Sequence, residues 1–170
     1  MNIKWIGVIL IISGCGGFGF SMAAHYRAEE RTLRELERCL VNMSNELVYR
    51  MTPLPDLFHI AAQMTDANLS DLFRNTADAL EKLKEPDASS VLQRVLSEDR
   101  TLPPASKRII TELGRTLGQF DMSGQLKGIE ACIQQARIEL AVLSDNKEQR
   151  LRSYQTLGLC SGAALAIILF

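Results

Sequence analysis

The residues of this chain best equipped for chemistry are a glycine-rich run, two histidines and four cysteines. The run "GCGGFG", Gly14 to Gly19, matches the G-x-G-x-x-G pattern in which backbone N–H groups cradle a dinucleotide pyrophosphate. That fingerprint needs a strand before it, a helix after it and a parallel sheet around it. Here the apolar pattern runs on through Met22 to Ala24 and no further strand follows. His25 and His59 have no Glu-x-x-His or His-x-x-x-His companion, so each reads as a surface or interface histidine rather than a metal ligand. Cys15, Cys39, Cys132 and Cys160 show no C-x-x-C spacing and read as buried free thiols. Ser44, Ser70 and Ser123 lie in no G-x-S-x-G setting. The carboxylates Glu29/Glu30 and Glu98/Asp99 are adjacent, and neighbours point to different faces of a helix. That suits solvation rather than acid–base work. The expectation is a non-enzyme with no cofactor, no metal and no small-molecule substrate, since the apolar stripes carry few polar residues to line a pocket. A formal net charge of -1 gives no electrostatic hold on nucleic acid.

The elements that hold these residues are helical. From Ile3 to Ala24 the only charge is Lys4, and about 22 residues make about 33 Å of helix at a rise of ~1.5 Å. That matches a hydrocarbon core of ~30 Å. Leu157 to Phe170 is also uncharged, and at about 21 Å it reaches the lower limit for a span once Tyr154, Gln155 and Thr156 are added and the bilayer thins locally. Arg27, Arg31, Arg34 and Arg38 follow the first segment, and Lys147, Arg150 and Arg152 precede the second. The excess of basic residues places the intervening chain in the cytoplasm and both termini outside. The expected division is a membrane helix over 1–24, a cytoplasmic helical bundle over 25–153 and a second membrane helix over 154–170. "SMAA" at Ser21 to Ala24 would also fit a signal-peptidase site. The long apolar run and the four arginines after it oppose cleavage. Small residues four apart, Ser13 with Gly17 and Gly158 with Gly162, would let membrane helices approach closely, although glycine is common in such helices for other reasons.

In the central part, Leu33, Leu36, Leu40, Met43 and Leu47 step by three and four, as do Leu126, Ile129, Ile133, Ala136, Leu140 and Leu143. That is the apolar seam of two long helices, paired with each other or each facing a globular core. Shorter helical patterns lie between them: Leu57, Phe58, Ala61 and Met64; Leu69 to Leu80 behind an Asn68 cap; Val91 to Leu96 behind an Asp87 cap; and Ile109 to Leu117 behind Pro103 and Pro104. Gly118 suits the left-handed position after a helix, and Gly124 relaxes the start of the last one. No run alternates as a strand does. The fold class is all-α, a bundle of about six helices.

Pro53 and Pro55 would cost roughly 3 kcal/mol inside a helix, so the first long helix ends near Arg50 and a new one starts at once, with Thr52 as its cap. The stretch around this joint, "ELVYRMTPLPDLFHIA", followed by "LGRTLGQFDMSGQLKGIE" and a terminal "YQTLGLCSGAALAIILF", resembles the stage III sporulation protein AB family over nearly the whole chain. Residues 45 to 136 are also similar to one cytoplasmic domain of the type II secretion F proteins, a six-helix bundle, with Met51-Thr52 where that family often has glycine.

The resemblance implies a membrane-anchored scaffold in a secretion-like sporulation channel complex, in the mother-cell membrane facing the forespore. It would link a cytoplasmic ATPase to other membrane subunits. The alternative is a membrane-tethered regulatory module whose bundle senses a ligand. The expected partner surface is the charged, proline-rich turn Glu98, Asp99, Arg100, Lys107 and Arg108, with Arg115 beyond it, at the end of the bundle far from the membrane.

Overall fold

The computed structural model describes the backbone over residues 2–82, 88–118 and 121–169, and side chains over 24–82, 88–118 and 121–145. Six α-helices and no strand occur among the described residues: α1 (Asn2–Arg50), α2 (Leu54–Gln63), α3 (Ala67–Glu81), α4 (Ala88–Glu98), α5 (Pro104–Thr116) and α6 (Met122–Leu169). The chain divides into two compact units, one of residues 1–29 with 141–170 and the other of residues 30–140. Among the described residues no helix is long and apolar enough to cross a membrane. The two expected spans fall where side chains lie outside the described residues, as does the proposed Asp87 cap.

Within the 30–140 unit, a few contacts give the direction of every helix. Arg31 bonds to Asp66, at the start of α3, and Cys39 lies against the Ala61 carbonyl, so α2 runs back along α1. Phe58 and Phe73 pack with ring centroids 6.0 Å apart, and α3 starts at Ala67 only a short link after α2 ends at Gln63, so α3 runs back along α2. Gly114 sits against Leu92 and Ser89 near the start of α4, while Lys107 near the start of α5 reaches Asp99 just past the end of α4. Gly128 abuts Thr116, Cys132 approaches the Ile109 carbonyl and Arg108 bonds to Glu139, so α6 runs back along α5. Glu37 and Arg137 meet at 2.8 Å across α1 and α6, and Gly118 packs beside Leu54. These two contacts make the long helices antiparallel neighbours. The unit is an up-and-down bundle.

The seam expected on α1 is the centre of the core: Leu33, Leu36, Leu40, Met43 and Leu47 are all buried, as are Ile129, Ile133 and Ala136 on α6. Full burial of such a side chain contributes about 1.5–3 kcal/mol over leaving it in water, which is why the three-four spacing decides these helices. Leu126, Leu140 and Leu143 are half-buried, and Met64 is exposed because α2 stops one residue before it.

The helix starts differ from expectation in an instructive way. Pro53, not Thr52, is the residue before α2, with Pro55 in its first turn. The Thr52 hydroxyl instead donates to Glu46 at 3.2 Å. Asp66, not Asn68, precedes α3, and no side-chain cap bond forms there because the Asp66 carboxylate pairs with Arg31. Gly118 adopts φ +81°, the left-handed position expected of it. Gly124 is already the third residue of α6. Its N–H donates to Asp121 Oδ1 at 3.0 Å, so Asp121 caps the helix.

Candidate functional site

The α4–α5 turn owes its shape to Asp99. Its carboxylate accepts the N–H of Thr101 at 2.6 Å and of Leu102 at 2.9 Å, an Asx-type turn that replaces the backbone pairing lost beyond α4. Lys107 reaches back from α5 to the Asp99 carbonyl, with its ammonium 3.9 Å from the Asp99 carboxylate. Two of the six residues expected to meet a partner are therefore committed to building the turn. Glu98 and Arg100 are exposed. Pro103 and Pro104 then start α5 where a missing N–H costs nothing.

Arg108 and Arg115 are seven residues apart and share a face of α5 with Glu112. Arg108 bonds to Glu139 at 3.0 Å and Arg115 to Glu112 at 3.3 Å. Between α5 and α6 runs a groove of about 400 Å³, floored by Ala105, Ile109, Ala131 and Cys132 and rimmed by Arg108, Glu112, Gln135 and Glu139. Each exposed ion pair there is worth roughly 0–1 kcal/mol, so these pairs fasten the rim only weakly. Glu139 was not singled out by sequence, because its partner lies 31 positions away. Ser13, Gly17, Gly158 and Gly162 lie in the parts of α1 and α6 whose packing falls outside the described residues.

The turn is not at the far end of the bundle. Six alternating helices put the α2–α3 and α4–α5 turns at the end where α1 enters and α6 leaves, near Arg31 and Glu139. The opposite end holds the α1–α2 joint and the start of α6, since Gly118 packs on Leu54. Among the exposed residues there are large apolar ones: Tyr49 is 82% and Met51 73% exposed, with Val48 and Met122 also open to solvent, beside the charged Arg50 and Asp121. Sequence reasoning passed over Val48, Tyr49 and Met51 because they sit inside a motif valued for its prolines.

The two thiols among the described residues are unreactive. Cys39 and Cys132 are free and buried, and burial pushes them up to about 12 and about 11, with Glu112 adding to the effect at Cys132. Neither supplies thiolate near neutral pH.

Comparison with known proteins follows the same outline. The family model of stage III sporulation protein AB matches residues 4–170. Stage III sporulation protein AB of Bacillus subtilis (strain 168) is 24% identical over 169 residues, 98% of this chain and 99% of that protein. A solved structure, stage III sporulation protein AB (SpoIIIAB), is similar in fold with a TM-score of 0.63 at 22% identity, covering 72% of this chain and 98% of that one. A match that runs from residue 4 to the last residue takes in both apolar ends and the bundle between them, and the chain belongs to the stage III sporulation protein AB family.

Proposed function

We propose that this protein is a membrane-anchored platform in a secretion-like sporulation channel complex, joining a cytoplasmic ATPase to membrane subunits. Family membership supports the sporulation role, and the two uncharged ends of the sequence support the anchoring. One observation supports the platform reading: among the described residues, the end of the bundle opposite the start of α1 and the end of α6 exposes Tyr49 and Met51. Apolar side chains centred on an aromatic are the usual anchors of a protein interface. The ATPase-facing surface is thus assigned to the α1–α2 joint rather than to the Glu98–Arg108 turn.

The test is co-purification of the full chain from membranes with the complex's cytoplasmic ATPase. Tyr49→Ala with Met51→Ser is expected to reduce recovery of the ATPase at least tenfold, while Glu98→Ala with Arg100→Ala leaves it unchanged. Retention by the first pair and loss by the second would return the contact to the charged turn. Labelling of cysteines introduced at both termini reads the topology separately, and termini found on the cytoplasmic side would remove the two-anchor arrangement.

A further inference from the structure

His59 has company that its own helix does not show. Its Nε2 lies 3.0 Å from Glu81 Oε1 and 4.0 Å from Asp78 Oδ1, and one ligand atom from each of the three lies within 4.8 Å of the others. A tetrahedral zinc site with bonds of ~2.0–2.1 Å has ligand–ligand edges of about 3.3–3.4 Å. The two His59 separations lie on either side of that value, so rotamer adjustment of the partly exposed side chains would bring three ligand atoms onto corners of a tetrahedron. Asp78 and Glu81 are three apart and share a face of α3. The packing of Phe58 on Phe73, the residue before His59 and a residue on the same helix as the two acids, holds α2 and α3 at this separation.

The electrostatics favour a cation. Two carboxylates face one imidazole, and a neutral imidazole can give its single N–H to only one of them. A divalent ion on Nε2 would replace the His59–Glu81 contact and satisfy both acids at once. Lys82 and Arg94 line the neighbouring α3–α4 groove with Asp78, so a bound ion competes with nearby positive charge. The fourth corner faces solvent, since all three side chains are between a third and about half exposed. Water would fill it.

We infer that His59, Asp78 and Glu81 form a divalent transition-metal site, zinc by ligand type, that ties α2 to α3. The imidazole sets this apart from a hard-cation site made of oxygen alone. Its role is a structural tie between the two helices.

The experiment is titration of the purified full chain with cobalt chloride, read by the visible absorption of four-coordinate cobalt, then displacement by zinc chloride. One equivalent should bind per chain, and zinc should raise the melting temperature. His59→Gln and Glu81→Gln, both at partly exposed positions that the core does not need, should each weaken cobalt binding about tenfold or more. His25→Gln should leave it intact. Absence of the one-equivalent absorption, or the same absorption in His59→Gln and Glu81→Gln, overturns the site.

Discussion

Met51 is the only non-glycine residue with positive φ among the described residues, at 49°. A side chain in the left-handed region costs about 1–2 kcal/mol, while glycine there gives back about 0.5–1 kcal/mol through its looser unfolded state. Met51→Gly should therefore stabilise the protein by about 0.5–1 kcal/mol in urea unfolding. Cys39 gives a second residue-scale expectation. Its folded-state thiol is held at about 12, above the ordinary value of 9.0, so the folded state keeps a proton that the unfolded chain releases. The contribution is fully present below about pH 9 and is lost as pH rises from there toward 12. The urea midpoint should fall through that window, and Cys39→Ala, though less stable at pH 7, should show a shallower fall.

At the scale of helices, the comparison of Asp121 with Asn68 separates a cap in name from a cap in geometry. Asp121 accepts the Gly124 N–H at 3.0 Å, so Asp121→Ala should cost about 1 kcal/mol. Asn68 is the second residue of α3 and exposed, so Asn68→Ala should fall within about 0.5 kcal/mol of zero. Equal costs in chemical denaturation would mean that α3 starts elsewhere. Sequence favoured Asn68 and Thr52 because both residue types cap well, and local spacing alone could not show that Asp66 was drawn to Arg31 or Thr52 to Glu46. The three-four leucine spacing and the proline joint were readable for the opposite reason. Each depends on interactions within a few residues, or on burial that any core would demand.

The whole bundle was legible as a set of helices but not as an arrangement. Which end a turn occupies depends on contacts between distant residues, such as Arg108 with Glu139, and nothing local encodes them. The Glu98–Arg108 turn was accordingly expected at the far end, and the alternation of six helices places it at the near one. The His59 cluster was missed for the same reason, its acids lying 19 and 22 positions along the chain. The antiparallel pairing of α1 and α6 is open to direct measurement. A double-mutant cycle on Glu37→Ala and Arg137→Ala should return a coupling of about 0.2–1 kcal/mol that shrinks in high salt, and zero coupling at low salt would leave the two helices unpaired at that level.

The close fit of Gly128 has a further consequence. A Cβ there would lie 2.4 Å from Thr116 Cβ, an atom present in every residue but glycine, so trimming the threonine to alanine leaves the obstruction in place. The crossing can admit bulk on one helix only if the other gives up its own side chain entirely. Variation at these two positions is thereby coupled to backbone movement: a methyl group added to α6 must push α5 aside, and the neighbouring contact of Gly118 with Leu54 would carry that displacement toward the proline joint.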